Sequence, residues 1–196
     1  MNATTTTYSG RQTIKEALTI FFEKYQLGPD GGMSDRWVKL RFGKFYFPIP
    51  NTASRKKALI FHDVHHIATG YQSNWKGECE IGAWEVSTGC GTYSAAWVLD
   101  LGVFALGLLI FPFATFKAFV RGRRTNNFYR NTYTRADLMG MEIEQVQTIL
   151  KLNTASNKPA TSIEILGFFW WSFLAALFSI TVFFGPYILL IWLLMR

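Results

Sequence analysis

Cysteine and histidine are both scarce in this chain of 196 residues. The two cysteines, Cys79 and Cys90, lack C-x-x-C spacing and are too few for a disulfide framework, so we expect buried free thiols. The chain also lacks a glycine-rich phosphate loop, a G-x-S-x-G nucleophile elbow and a recognisable nucleic-acid-binding module. These absences argue against P-loop nucleotide hydrolysis, α/β-hydrolase chemistry and a nucleic-acid partner.

Acidic residues are outnumbered, since 20 Lys and Arg face 13 Asp and Glu for a formal charge of +7. Hydrophobic residues make up 49% and aromatic residues 17% of the chain, which is more apolar aromatic surface than a soluble core of this size usually needs. A basic, aromatic-rich chain fits a membrane with anionic headgroups. We therefore expect a membrane partner.

The periodicity of the sequence predicts an all-α fold, a helical bundle with a C-terminal hydrophobic membrane-anchoring helix. Residues 1–33 are interpreted as an amphipathic helix, capped by Thr13 and ended by Gly28, and its linker. Residues 34–152 form the predicted helical metal-binding domain, 153–164 a flexible tether and 165–196 the anchor. The turn-rich stretch up to Pro50 is interpreted as irregular, with room for a short helix after Ser34.

Two apolar tracts are expected to form different kinds of helix. The tract 95–120 has 16 residues without charge between Asp100 and Lys117, which is short of the roughly 20 that span a bilayer, so a buried core helix is favoured over a spanning one. The tract 165–195 has 31 uncharged residues and is interpreted as a membrane anchor that Gly185-Pro186 could kink. The basic cluster between the tracts would rest on anionic headgroups at the cytoplasmic side, or form an ordinary solvated loop.

All three histidines fall within five residues, in the segment HDVHH. On a predicted helix from Ala53 to Thr69, His62 and His66 lie one above the other and Asp63 is on the adjoining stripe. Glu78, in the first turn of the next predicted helix, would complete four ligands for a divalent metal such as zinc, iron or manganese. The alternative is a histidine-rich helix end that suits the helix dipole, with Asp63 as an ion-pair partner.

Two further residues are weaker candidates for catalysis. His65 lies at the edge of the same arc, where it could be a hydrogen-bond donor to a ligand, a proton carrier or, most commonly for such a position, a solvent-facing residue. Glu85 could face the site as a second carboxylate, although a surface glutamate is the usual outcome.

Rival histidine motifs fit less well. Membrane desaturases need several histidine boxes, and this chain has no further histidine. HDxxH shortens the general base of an HExxH zinc protease by one methylene group and brings no obvious third ligand. An HD-type phosphohydrolase would need a histidine before His62.

The string HDVHHIATGYQSNWKGE has the form H-D-x-x-H-x11-E, which resembles the metal motif of the fourth coenzyme Q biosynthesis protein family. The resemblance extends over roughly Ser34 to Leu152, through GECEIGAWEVSTGCG and the RGRR segment at 121–124. It implies an all-helical, membrane-associated protein whose ligands are His62, Asp63, His66 and Glu78, with zinc as the family's metal. Oxygen chemistry would instead suit iron or manganese.

The resemblance also implies a function. Family members are implicated in removing, with oxidation, the ring carboxyl group of a polyprenylated hydroxybenzoate during ubiquinone synthesis, and in organising the other biosynthetic enzymes. We therefore expect a metal-dependent lyase with a prenylated lipid substrate, or a noncatalytic prenyl-lipid-binding scaffold, either of which could act as a homodimer. The C-terminal apolar tail departs from the family pattern and leaves the exact lipid open.

Overall fold

The computed structural model describes residues 8–42, 45–154 and 158–195, and its fold is all-α as predicted. The helices are α1 Ile14–Tyr25, α2 Ala53–Thr69, α3 Trp75–Thr88, α4 Ser94–Ile110, α5 Pro112–Arg123, α6 Arg135–Met139, α7 Ile143–Ile149 and α8 Ser162–Leu194, with a 3-10 turn at Phe128–Arg130. The strands are β1 Trp37–Phe42 and β2 Phe45–Pro50.

Local capping signals set where the first helices begin and end. Thr13 and Glu16 form the predicted capping box of α1, but this helix ends earlier than predicted, at Gln26, whose φ is 55°. Thr52 caps α2 through the backbone amide of Arg55, and Gly70 ends α2 with φ 80°. The helix that carries the histidines is therefore fixed at both ends by its own sequence.

The interpretation of residues 34–50 as irregular, with a short helix, is wrong. β1 and β2 form an antiparallel hairpin in which Trp37 pairs with Pro50 and Phe42 with Phe45. The sequence WVKLRF alternates apolar and basic residues from Val38 onwards, which is a strand pattern, and prolines are tolerated in a two-stranded sheet because each strand has a free edge. The prolines and glycines around the hairpin had obscured this alternation.

The α3 helix lies at the centre of the bundle, between α4 and α5. A β-carbon at Gly122 of α5 would stand 1.8 Å from the Ser87 hydroxyl oxygen and 2.6 Å from the Trp84 carbonyl oxygen, so the two helices meet almost backbone to backbone. The Trp84 side chain is fully buried, and its indole N–H donates to the hydroxyl of Thr125 at 2.9 Å. This packing fixes α3 closely against α5.

The first apolar tract is two helices rather than the single helix we predicted. The helix is interrupted at Phe111, and Pro112 is the first residue of α5. Proline is tolerated at this position because the amide of a first helical residue has no partner within the helix. The inner face of α4 buries Phe104, whereas Leu109 and Phe113 at the elbow are 84% and 82% exposed. The prediction that this tract is buried therefore holds for one face of α4 only.

The predicted last amphipathic helix from Thr134 is divided into α6 and α7. Asp137 completes a capping box with Thr134, and Glu142 begins a second helix with Gln145 as its box partner. Between them, the Met141 carbonyl oxygen accepts the amide of Ile14 at 2.8 Å. This contact with α1 breaks the helical pattern that the sequence alone suggested.

The long helix α8 is apolar and long enough to cross a membrane, over Ser162–Val182. It continues as a helix through Gly185 and Pro186. Its first turns pack on α4 and α5: the ring centroid of Phe168 lies 5.9 Å from that of Phe104, and Trp171 stacks on Trp97 at 5.3 Å.

The start of α8 is also clamped by Arg124. Its guanidinium binds both carboxylate oxygens of Glu164, at 2.6 and 2.7 Å, and the carbonyl oxygens of Lys158 and Pro159. A bidentate pair of this kind fixes orientation as well as distance. Of the predicted tether 153–164, residues 155–157 lie outside the described part, and the residues that follow them are fastened to the helical domain.

Candidate metal centre

Three of the four predicted ligands converge between α2 and α3. The Nε2 atoms of His62 and His66 are 3.1 Å apart, and the two oxygens of Glu78 lie 3.5 Å from one nitrogen each. Ligands at about 2.0–2.1 Å from a tetrahedral zinc ion are about 3.3–3.4 Å from one another, so these separations fit the edges of such a site. The side chains of His62 and Glu78 are 22% and 31% exposed, which leaves the centre open to the outside.

The loop between α2 and α3 determines the position of Glu78. Asn74 caps α3 through the amide of Gly77, and a β-carbon at Gly77 would stand 1.7 Å from the Gln72 carbonyl oxygen. Only glycine lets the loop pass this close to the helix. The Ser73 hydroxyl donates to Glu78 at 2.7 Å and so aims the carboxylate towards the histidines.

Backbone contacts orient His66. Its Nδ1 lies 2.9 Å from the carbonyl oxygen of Tyr71, which can only accept, so Nδ1 carries a hydrogen and Nε2 is the nitrogen that faces the site. Arg121 supports this segment, because its guanidinium donates to the Thr69 carbonyl oxygen at 2.9 Å and lies over the Tyr71 ring.

A carboxylate orients His62 in the same way. Its Nδ1 lies 3.0 Å from Glu85 Oε2 and donates to that carboxylate, which leaves Nε2 as the nitrogen that faces the site. The Nε2 atoms of His62 and His66 thus face each other at 3.1 Å, while each Nδ1 donates elsewhere. A shared proton or a bound cation is what makes this arrangement favourable.

Asp63 stands apart from this trio. It is not among the groups whose ligand atoms lie within 4.8 Å of one another in the described residues, and its Oδ2 is 3.4 Å from where a β-carbon at Gly31 would be. Burial raises the pKa of Asp63 to about 7, although His62 and His66 oppose this shift. Its predicted role as the fourth ligand stays a prediction.

His65 and Glu85 are fully buried, so the expectation of a solvent-facing histidine and a surface glutamate is wrong. His65 Nδ1 lies 2.6 Å from Glu85 Oε1, and the amide of Phe128 donates to His65 Nε2 at 3.0 Å. Their predicted part in catalysis stays a prediction. The structure places them directly behind the ligands.

Asp100 and Tyr129 also approach Glu85 and were missed by the sequence reasoning. Asp100 is 2% exposed, accepts from the Cys90 thiol at 3.3 Å and forms a second cluster with His62 and Glu85. Burial, followed by the Glu85 charge, raises the pKa of Asp100 well above its usual range. A lone acidic residue in an apolar tract was the available signal, because such a charge is rarely buried without a partner.

The charges of the site reinforce one another. Burial opposes ionisation of His62, but the carboxylates of Glu85 and Glu78 outweigh it and raise the pKa of His62 well above its usual value. Burial likewise opposes the charge on Glu78, while His66 and His62 hold the pKa of Glu78 well below its usual value. Burial lowers the pKa of His65, which agrees with a neutral ring. The site therefore has both the negative charge and the oriented ligand atoms that a divalent cation requires.

No protein family, curated protein or solved structure that was compared matches this chain.

Proposed function

We propose that this chain is a membrane-anchored metalloprotein that binds one divalent transition metal through His62, His66 and Glu78. The observation that carries the proposal is the orientation of the two imidazoles. The Tyr71 carbonyl and the Glu85 carboxylate each take the Nδ1 hydrogen of one ring, and both Nε2 lone pairs then face the same point beside Glu78.

Zinc is our first choice of metal, on the resemblance of H-D-x-x-H-x11-E to its family. Two imidazoles and a carboxylate also suit iron and manganese. An open fourth position, which a catalytic metal needs, is compatible with the partial exposure of His62 and Glu78. Asp63 as the fourth ligand rests on the same resemblance alone, since it lies outside the trio.

We further propose, on the same resemblance, that the site acts in ubiquinone-type biosynthesis as a lyase that releases the ring carboxyl group of a polyprenylated hydroxybenzoate as carbon dioxide and hydroxylates that ring carbon, with dioxygen as the two-electron oxidant. A bound divalent metal would supply a Lewis acid for the substrate carboxylate, or oxygen chemistry if it is iron or manganese. The prenyl tail would lie in the bilayer beside α8, whose apolar surface supports this location. We also propose that the helical domain stands on the cytoplasmic side, where the basic cluster between the two apolar tracts would face anionic headgroups.

In this function the residues of the chain divide into two groups. The three ligands hold the metal and, through it, position the substrate ring. His65 and Glu85 are sealed in the interior with no exposed atoms, and both ring nitrogens of His65 are engaged, so we propose that they orient ligands rather than exchange protons with substrate.

A noncatalytic scaffold is the second candidate. The observation that favours it is the same sealed network, which joins α2, α3 and α4 and leaves no free base beside the trio among the residues that the structure describes. In this role the metal would tie helices together, and the protein, as a monomer or homodimer, would hold prenyl lipid or other quinone-biosynthesis proteins.

Turnover distinguishes the two functions. The full chain, reconstituted in lipid nanodiscs with zinc, iron or manganese, is incubated with a prenylated hydroxybenzoate under air, and the lipid products are measured by mass spectrometry. The lyase function predicts loss of the ring carboxyl group, and no loss in the His66→Ala variant. Retention of unchanged lipid by a metal-loaded parent would contradict the lyase and support the scaffold.

A further inference from the structure

We propose that His65 is a positioning residue that holds Glu85 in place, so that Glu85 in turn fixes the orientation and tautomer of the metal ligand His62. This inference rests on the proposed metal site. It assigns to the one histidine that is not a ligand a function that spacing alone does not reveal.

Each hydrogen bond between the Phe128 amide, His65 and Glu85 has only one possible direction. The backbone amide of Phe128 can only donate, so His65 Nε2, at 3.0 Å, must accept and carries no hydrogen. The hydrogen of the neutral His65 ring is therefore on Nδ1 and is donated to Glu85 Oε1 at 2.6 Å.

The Glu85 carboxylate can only accept, so its other oxygen, Oε2, accepts from His62 Nδ1 at 3.0 Å. This leaves Nε2 of His62 as the nitrogen that faces the site. The orientation of His62 thus depends on the position of Glu85, which His65 and the main-chain amide behind it hold in place.

The packing around His65 prevents any other arrangement. Its ring is parallel to the Phe128 ring, with centroids 5.8 Å apart, and meets the edges of Trp84 and Tyr129 at 5.1 Å each. The His65 side chain has no exposed surface. A flip of the ring would place carbon atoms where the amide and the carboxylate now find nitrogens, and would break both hydrogen bonds.

The two histidine ligands consequently differ in how they are held. His66 is oriented by a main-chain oxygen of Tyr71, which no side-chain substitution removes. His62 is oriented by a side chain that itself depends on a second side chain. The inference therefore predicts that a substitution at His65, which does not touch the metal, weakens metal binding through His62.

Cobalt binding to the full chain in detergent tests this inference. Cobalt is used because its visible absorption reports ligand geometry, and affinity is measured by competition with a chelator. We expect His65→Leu, which removes both hydrogen bonds, to weaken cobalt binding about 10- to 100-fold and to change the absorption bands, as is usual when an outer-sphere partner of a metal ligand is lost.

Two further variants separate positioning from packing. A glutamine at position 65 can accept from the Phe128 amide and donate to Glu85, so His65→Gln should restore most of the affinity. The matched control is Val64→Ala, which removes buried methyl groups from the same turn of α2 and should leave affinity and spectrum unchanged.

The isosteric variant Glu85→Gln serves if His65→Leu does not fold, and it too should lose at least about tenfold in affinity, because one histidine then faces an amide donor. Parent-like affinity in the leucine variant, or in Glu85→Gln, would overturn the inference. An equal loss in Val64→Ala would overturn it as well, since packing alone would then explain the effect. A parent chain that binds no cobalt would instead refute the proposed metal site.

Discussion

Replacing Asp63 by asparagine should change how the stability of the protein depends on pH. Asp63 is 5% exposed, and burial raises its pKa to about 7 from the usual 3.8, against the opposing influence of His62 and His66. Between these two values the unfolded chain has released the proton that the folded chain still holds. The folded state therefore binds more protons, and its stability falls as pH rises from about 4 to about 7.

The size of this effect follows from the shift. A change from 3.8 to about 7 is about 3 pKa units, and at about 1.4 kcal/mol per unit it corresponds to about 4 kcal/mol as an upper value. Asparagine does not titrate, so the unfolding free energy of Asp63→Asn relative to that of the parent should rise steadily over this pH interval. The difference should level off above about pH 7.

The assay is urea or thermal unfolding of both proteins in detergent and chelator at a series of pH values, with the difference in unfolding free energy as the readout. Taking the difference removes the contributions of the titrating groups that do not interact with Asp63, and leaves those of Asp63 and of its charged neighbours His62, His66 and Glu78. A difference that does not change with pH would refute the reasoning.

The same variant tests the ligand set. The geometry places Asp63 outside the trio, so the loss of metal affinity in Asp63→Asn should be at least about tenfold smaller than the loss in His66→Ala. Equal losses in the two variants would show that Asp63 is the fourth ligand that the sequence motif implies.

Two other predictions concern packing. Gly122→Ala should destabilise the protein by about 3 kcal/mol or more, because the new methyl group meets Ser87 and the α3 backbone. Gly102→Ala places its methyl group in open space and should be neutral or stabilising by up to about 1 kcal/mol. Unfolding measurements on both variants check this, and equal effects would contradict the close contact of α3 with α5. Arg124→Gln should make the chain before Glu164 easier to cleave by limited proteolysis, while the exposed Arg123→Gln should not; identical cleavage rates would show that the clamp does not hold α8.

Much of the fold could be predicted because its signals are local. The Thr13 capping box of α1 and the extent of α2 from Ala53 to Thr69 depend on residues a few positions apart, and both were predicted from the sequence. The hairpin and the division into α6 and α7 were missed. The break between α6 and α7 depends on hydrogen bonds to α1, far away in the chain.

The site shows the same limit. His62 and His66 share a helix face at a spacing that sequence reveals, and the nearby helix start brought in Glu78. The neighbours of His65 are Glu85, 20 positions away, and Phe128, 63 positions away, and no periodicity links them. Their role depends on tertiary packing, which the sequence alone does not provide.

The central claim is that His62, His66 and Glu78 bind a single divalent metal, and elemental analysis of detergent-purified full chain tests it most directly. The sample is analysed beside the His62→Ala, His66→Ala double variant, both after incubation with zinc, iron(II) or manganese(II) and removal of unbound metal. The account predicts about one equivalent of metal in the parent and its loss in the variant. No metal in the parent under any of these conditions, or the same content in both proteins, would contradict it.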